Sequence, residues 1–230
     1  MTNEKSGEFS PAHHALLFAW LSRAIVTRVG AERGEEIVRR ATRRYGEERG
    51  WRMALRAQAA GDSLSMANYM AYGEWAADPG ESEHTVFVEE GRVRTEVHRC
   101  PWHKAWEADE LMEYGRLYCL EIDCALAWGF NPDLKLEVNS SLSNDDRDCE
   151  FVFHGGEEVE KKRGWVMPWP YHVGHLYWTV RRAVVEELGE QGVEVADEVL
   201  GRFGKRYGEE AVRSVESYRD TDFKRLPEDG

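Results

Sequence analysis

The hydrophobic pattern of this 230-residue chain changes period twice, and that limits what it can fold into. In the N-terminal part, apolar residues recur at the three- and four-residue spacing of a helix. From Val86 to Val97 they alternate with polar neighbours, as strands do. From Pro170 onward the helical spacing returns. Helical sections that flank a strand-bearing middle point to an α+β fold. The expected form is an antiparallel sheet of about four strands around a central helix, with the N- and C-terminal helical sections packed on it.

Local signals place the elements. Ser10 before Pro11 starts a helix in which Leu17, Leu21, Ala24 and Ile25 share a face, and it ends around Gly30. Ile37, Val38, Ala41 and Tyr45 mark a second helix, and helix resumes after Gly50 with Trp51, Ala54 and Leu55. A further helix covers 64–75. The character changes at Asp78-Pro79-Gly80, and Glu90-Gly91 turns a β-hairpin. A long central helix spans about 105–128, closed by Gly129 and Pro132. Strands follow at 134–140 and 148–154, joined by the turn-rich Ser143-Asn144-Asp145-Asp146. The chain reads as one domain: helical 11–76, mixed 83–154, helical 170–219, and a polar tail 220–230 with no core to join. Arg23-Ala24-Ile25-Val26 and Tyr45-Gly46-Glu47-Glu48 are echoed by Arg182-Ala183-Val184-Val185 and Tyr207-Gly208-Glu209-Glu210, which suggests duplicated helical pairs.

The net charge of −13 repels phosphate backbones and anionic membrane surfaces, so neither nucleic acid nor a membrane is an expected partner. Arg39, Arg40, Arg43 and Arg44 alternate with Glu35, Glu36, Glu47 and Glu48 and read as a solvated helix face. No charged-then-apolar leader opens the sequence and no apolar run approaches the roughly 20 residues of a membrane span. A cytoplasmic chain with reduced thiols is the expectation.

The four cysteines, Cys100, Cys119, Cys124 and Cys149, crowd into the middle of the chain. Cys119 and Asp123 are four apart, so a single helix sets them on one face. Cys149 shares a strand face with Phe151 and Phe153, the expected core side. Cys100 and His103 are three apart, a spacing that suits thiolate activation or metal binding. Buried cysteine is also an ordinary apolar residue, the reading for Cys124. Nucleotide-binding glycine loops, a Gly-x-Ser-x-Gly elbow and zinc knuckles are all missing from the sequence. No cofactor is therefore expected; zinc or iron on Cys100, His103, Cys119 and Cys149 is the alternative. Asp145, Asp146 and Asp148 read as solvated turn formers that offer a cation site as the second reading. His172 and His175 read as helix-start residues within reach of a pocket. Trp165 and Trp169 mark a lid, a homo-oligomer interface or a loop pinned by aromatic packing.

Arg99-Cys100-Pro101-Trp102, Tyr118-Cys119-Leu120-Glu121-Ile122-Asp123, Gly129-Phe130-Asn131-Pro132 and Asp146-Arg147-Asp148-Cys149-Glu150-Phe151 together resemble the L-2-amino-thiazoline-4-carboxylic acid hydrolase family. Tyr45-Gly46-Glu47-Glu48-Arg49-Gly50 and Asn68-Tyr69 fit it as well, and the resemblance runs from about residue 13 to about residue 215. It implies a ring-opening hydrolase that acts on a small heterocyclic substrate, a cyclic amidine-like acid, by attack on a carbon bonded to nitrogen or sulfur. The product in the named reaction is a carbamoyl-cysteine. Cys119, Asp123, Cys100 and His103 are then the expected catalytic residues, with Asp123 binding the amidinium and shuttling a proton and His103 activating Cys100 or water. Asn68, Tyr118 and Cys149 are the expected substrate-binding residues. The strand-and-cysteine ending also looks like vinyl-reductase-like sensor domains, which bind small ligands and hold zinc; Ser141 stands where one of their cysteines is expected. A binding or sensor module is thus the alternative to an enzyme.

Overall fold

The computed structural model describes residues 9–76 and 80–227, so Asp78-Pro79 of the expected turn lies outside the described residues. Helix α1, Pro11–Val29, begins at Ser10 with proline in its first turn, as the sequence indicates. Gly30, at a positive φ of 87°, turns the chain into α2, Ala31–Ala59. This second helix runs unbroken through Gly46 and Gly50, where a break and restart was expected. The glycines are there for contact. A β-carbon on Gly46 would sit 2.8 Å from that of Ala125, and one on Gly50 would strike the Leu126 carbonyl. They let α2 lie directly along α6, Ile122–Phe130.

Short α3, Met66–Ala71, replaces the longer helix expected over 64–75. Strands β1, Glu83–Glu89, and β2, Arg92–Arg99, form the hairpin, with Gly91 at φ 74° in its turn. The single central helix is overturned. The segment is three helices: α4, Pro101–Ala108; α5, Met112–Cys119; and α6. Glu110 takes a left-handed φ of 54° and ends the first. The Trp106 ring lies against Gly115, where any side chain would collide, so α5 folds back over α4.

Strands β3, Leu136–Ser140, and β4, Cys149–His154, complete an antiparallel sheet ordered β1-β2-β4-β3. The register pairs Cys149 with Val97, Phe151 with Thr95 and Phe153 with Val93. These side chains share the face turned toward the helices, as the alternation of the sequence indicates. The C-terminal section is α7, Trp169–Leu188, α8, Glu190–Tyr207, and α9, Glu209–Glu216. Helix α1 is the hub, packed on α2, α4, α5, α7 and α8. The Tyr-Gly-Glu-Glu echo does not occupy equivalent places: Gly46 is inside α2, whereas Gly208 separates α8 from α9 at φ 90°.

Two further expectations are corrected. The described part of the tail joins the core: Phe223 is buried, stacks on His175 at 4.2 Å, and accepts a hydrogen bond on its carbonyl from Arg52 at 2.6 Å. The charged face of α2 is not simply solvated. Arg39 and Arg43 clamp Glu121 at 2.5 and 2.9 Å, Arg40 and Arg44 reach Glu187 and Glu186 of α7, and Glu48 is buried. No helix of the described residues is long and apolar enough to cross a membrane.

Candidate active site

Helix α2 turns a stripe of polar residues into the core. Tyr45, Glu48, Arg49, Arg52 and Arg56 continue the spacing of Val38 and Ala41, and all are buried. Burying three guanidinium groups demands counter-charge. Glu74, itself fully buried, supplies it: Arg52 donates from Nε and Nη2 at 2.9 and 2.7 Å, Arg56 at 2.7 Å, and Arg49 Nε at 3.4 Å. Burial alone would raise the Glu74 carboxyl; Arg52, Arg49 and Arg56 outweigh it and hold the group far below the usual carboxylate range.

Histidines complete this layer. His175 accepts from Arg52 through Nδ1 at 3.3 Å, which leaves Nε2 to donate to Glu48 at 2.8 Å. Thr179 donates to the same Glu48 oxygen. His172 Nε2 meets the Glu74 carbonyl at 3.1 Å, and burial with the nearby Arg49 pushes its pKa down to about 3. His172 and His175 are therefore core partners of the ion network. Trp169 packs on Trp102 at 5.6 Å and Arg56 lies over the Trp165 ring, so both tryptophans are tied down by packing.

Above the layer lies a hollow of about 310 Å³. Arg49 and Met53 of α2, Tyr69 and Met70 of α3, Glu74 and Trp75 of the following loop, and Asp123 and Leu126 of α6 form its sides. Thr95 and Phe153 close it from the sheet, and His84 and Val86 of β1 stand exposed at its mouth. Larger hollows lie between α7, α8 and α9, about 920 Å³, and beside Trp51 and Trp128, about 710 Å³. Of these three, the one beneath the hairpin contains a residue expected from the sequence, Asp123.

Asp123 lies in the first turn of α6, where helix geometry favours an anion. Burial prevails over that and over the attraction of Arg49, and its carboxyl is raised from the ordinary 3.8 to about 6. Cys119 closes α5 instead of sharing a helix with Asp123, yet the two still interact electrostatically, as Asp123 does with Cys100 and Cys149. The three sulfurs thus lie within electrostatic reach of the acid without lining the hollow. Burial pushes the Cys119 thiol well up, against a Ser143 hydroxyl, and pushes Cys100 up to about 11, against the amides of His103 and Trp102. Cys149 is raised by burial too, although Leu142 N–H points to its sulfur at 3.3 Å.

Other expected residues are placed elsewhere. Asn68 holds the Ser63 carbonyl at 2.8 Å and does not line the hollow. Tyr118 is in the aromatic core, edge-on to Phe18 at 5.1 Å and to His14 at 5.5 Å. His103 meets Cys100 through its backbone amide. Cys124 is exposed. Cys100, His103, Cys119 and Cys149 do not converge to within 4.8 Å; among the described residues the grouping that does is Glu96, His98 and Asp148, on the other face of the sheet. Asp146 accepts from the Ser141 amide at 2.8 Å and Asp148 from Ser140 at 3.1 Å, so the acidic turn is internally bonded. Arg49, Glu74, Trp75 and Thr95 carry no site role in the sequence reading; for Arg49 the three-and-four spacing of Tyr45, Arg49, Arg52 and Arg56 on an otherwise apolar stripe is the available signal.

No curated protein and no solved structure matches the chain. The family model of L-2-amino-thiazoline-4-carboxylic acid hydrolase matches residues 12–153, from α1 to the end of β4. The match stops short of the expected residue 215, so α7 to α9 lie outside it, while every wall of the hollow lies inside. The chain belongs to the L-2-amino-thiazoline-4-carboxylic acid hydrolase family.

Proposed function

We propose that the chain is a hydrolase that opens a small cyclic amidine-like carboxylic acid, with Asp123 as the group that binds the amidine and moves the proton. The observation that carries this reading is one carboxyl on the wall of a small hollow, held by burial at a pKa of about 6. Such a group is ionised enough near neutral pH to pair with an amidinium and weakly acidic enough to give a proton back.

On a 2-aminothiazoline ring, water attacks the carbon bonded to nitrogen and sulfur. The C–O bond forms and the C–S bond breaks; as the water oxygen becomes the carbamoyl carbonyl, one of its protons passes through Asp123 to the departing sulfur and the other leaves to solvent as the amidinium charge is lost. The product is the substrate plus one water, with a new free thiol. Water suits the attack better than Cys100 or Cys119, because burial keeps both thiols protonated at neutral pH.

The test is incubation of the protein with 2-aminothiazoline-4-carboxylate and a panel of related rings, including hydantoins. Mass spectrometry is expected to find a product heavier by one water, and thiol titration a new sulfhydryl. If every ring is bound but returned intact, the chain is a binding module; if none is opened, the hydrolase reading is wrong.

A further inference from the structure

Cationic side chains under the hollow outnumber the acids that hold them. Arg49, Arg52 and Arg56 share Glu74. Glu48, the other buried acid of the layer, is taken up by His175, Thr179, Arg182 and Arg44. The histidines add no anion, and Lys161 beside Gly73 and Trp75 adds a further cation.

The arginines differ in how they are used. Arg52 engages Nε and both Nη nitrogens, on Glu74, Phe223, Glu48 and His175. Arg56 uses one Nη on Glu74 and directs the other at Met167 sulfur. Arg49 gives only Nε to Glu74, and among the described residues neither of its Nη nitrogens has a hydrogen-bond partner. Those nitrogens are also not among the sealed, unpartnered polar atoms, so they meet open space, although Arg49 as a whole is only 3 % exposed. The open space beside Arg49 is the hollow it lines with Asp123.

A buried guanidinium with a free edge is an incomplete ion pair, and its planar fork matches a carboxylate. We propose that Arg49 is a carboxylate-binding subsite, which takes the acid group of a small ring whose basic end goes to Asp123. The ligand class is a compact molecule carrying both a carboxylate and an amidine, because a hollow of about 310 Å³ holds little more than such a ring. The identity of the ring rests on the hydrolase reading; the demand for an anion does not.

Calorimetric titration of the full chain with 2-aminothiazoline-4-carboxylate and with its 4-carboxamide tests this. The unmodified protein is expected to prefer the acid by about tenfold or more, the scale of a charge-assisted hydrogen-bond pair. Arg49→Gln should erase the preference by weakening the acid and leaving the amide unmoved. Arg49→Lys, which keeps the charge and loses the fork, should retain part of it and serves as the folded variant if the glutamine fails to fold. Equal affinity of the unmodified protein for acid and amide, no binding of the acid at millimolar concentration, or a preference unchanged in both variants overturns the subsite. Preference for the acid with hydrolysis of neither compound supports the subsite while removing the hydrolase reading. Hydrolysis without preference does the reverse.

Discussion

Glu74 and Asp123 are both withdrawn from water on the walls of one hollow, and both feel Arg49, yet they titrate in opposite directions. Three guanidinium groups bond to Glu74 and hold it ionised. Asp123 has the electrostatic attraction of Arg49 and, among the described residues, no ion pair of its own, so burial governs it and its pKa rises. Burial therefore produces two different groups, Glu74 sealed and Asp123 half-buried, and the difference is whether direct partners outweigh lost hydration. One acid is spent on holding the helices together, and the other is, on the function proposed here, the one left adjustable for chemistry.

Removing the partnered acid should have the largest effect. Glu74→Gln strands three buried arginines, and a loss of about 3–5 kcal/mol of unfolding free energy is expected in urea titration. A loss below about 1 kcal/mol would mean that the network is solvated and the contrast with Asp123 false. Asp123→Asn should do the opposite. Turnover of the true substrate is expected to fall by about 10² to 10⁴, the usual contribution of a positioned acid–base group, while the melting temperature at neutral pH holds or rises. Asparagine at full activity would remove Asp123 from the mechanism.

The pH dependence sharpens the same contrast. Asp123 binds its proton more tightly when folded, so its contribution to stability falls as pH rises from about 4 to about 6. Glu74 has the reverse sign: its contribution is complete above the ordinary glutamate value and is lost as pH falls toward its depressed folded value. Thermal melts across pH 4–7 are expected to show the first slope in the parent and not in Asp123→Asn. Because the carboxylate form pairs with the amidinium, kcat/KM should climb with pH through about 6. A rate that declines through that range would make the protonated acid the active form. The smallest change is expected at the sulfurs: Cys100→Ala and Cys119→Ala should stay within about threefold of the parent rate, since a protonated thiol is a poor nucleophile.

The order of helices and strands was legible because periodicity and turn chemistry are local. Ser10-Pro11, Glu90-Gly91 and the inward face of Cys149, Phe151 and Phe153 all follow from neighbours in sequence. The misread places depend on distant partners. Gly50 looks like a helix break in the sequence because its need for space comes from α6, more than 70 residues on. The 105–128 helix was split by Glu110, whose left-handed backbone has no glycine to announce it. Asp123 was found from its place beside Cys119, even though the shared helix that suggested it does not exist. Arg49 was missed because an arginine next to Glu47 and Glu48 looks like surface, and only the buried Glu74, brought over from the loop after α3, makes an interior position tolerable.

The glycine contact between α2 and α6 has a bearing on selectivity. Arg49 and Asp123 ride on two rods whose separation is set by main chain touching main chain, with Gly129 pressed on Glu47 as a third stop. Rotamer changes cannot adjust such a gauge. The helices therefore hold the backbones of the proposed cation and acid at a set spacing, which would bound how far apart a ligand can carry its opposite charges.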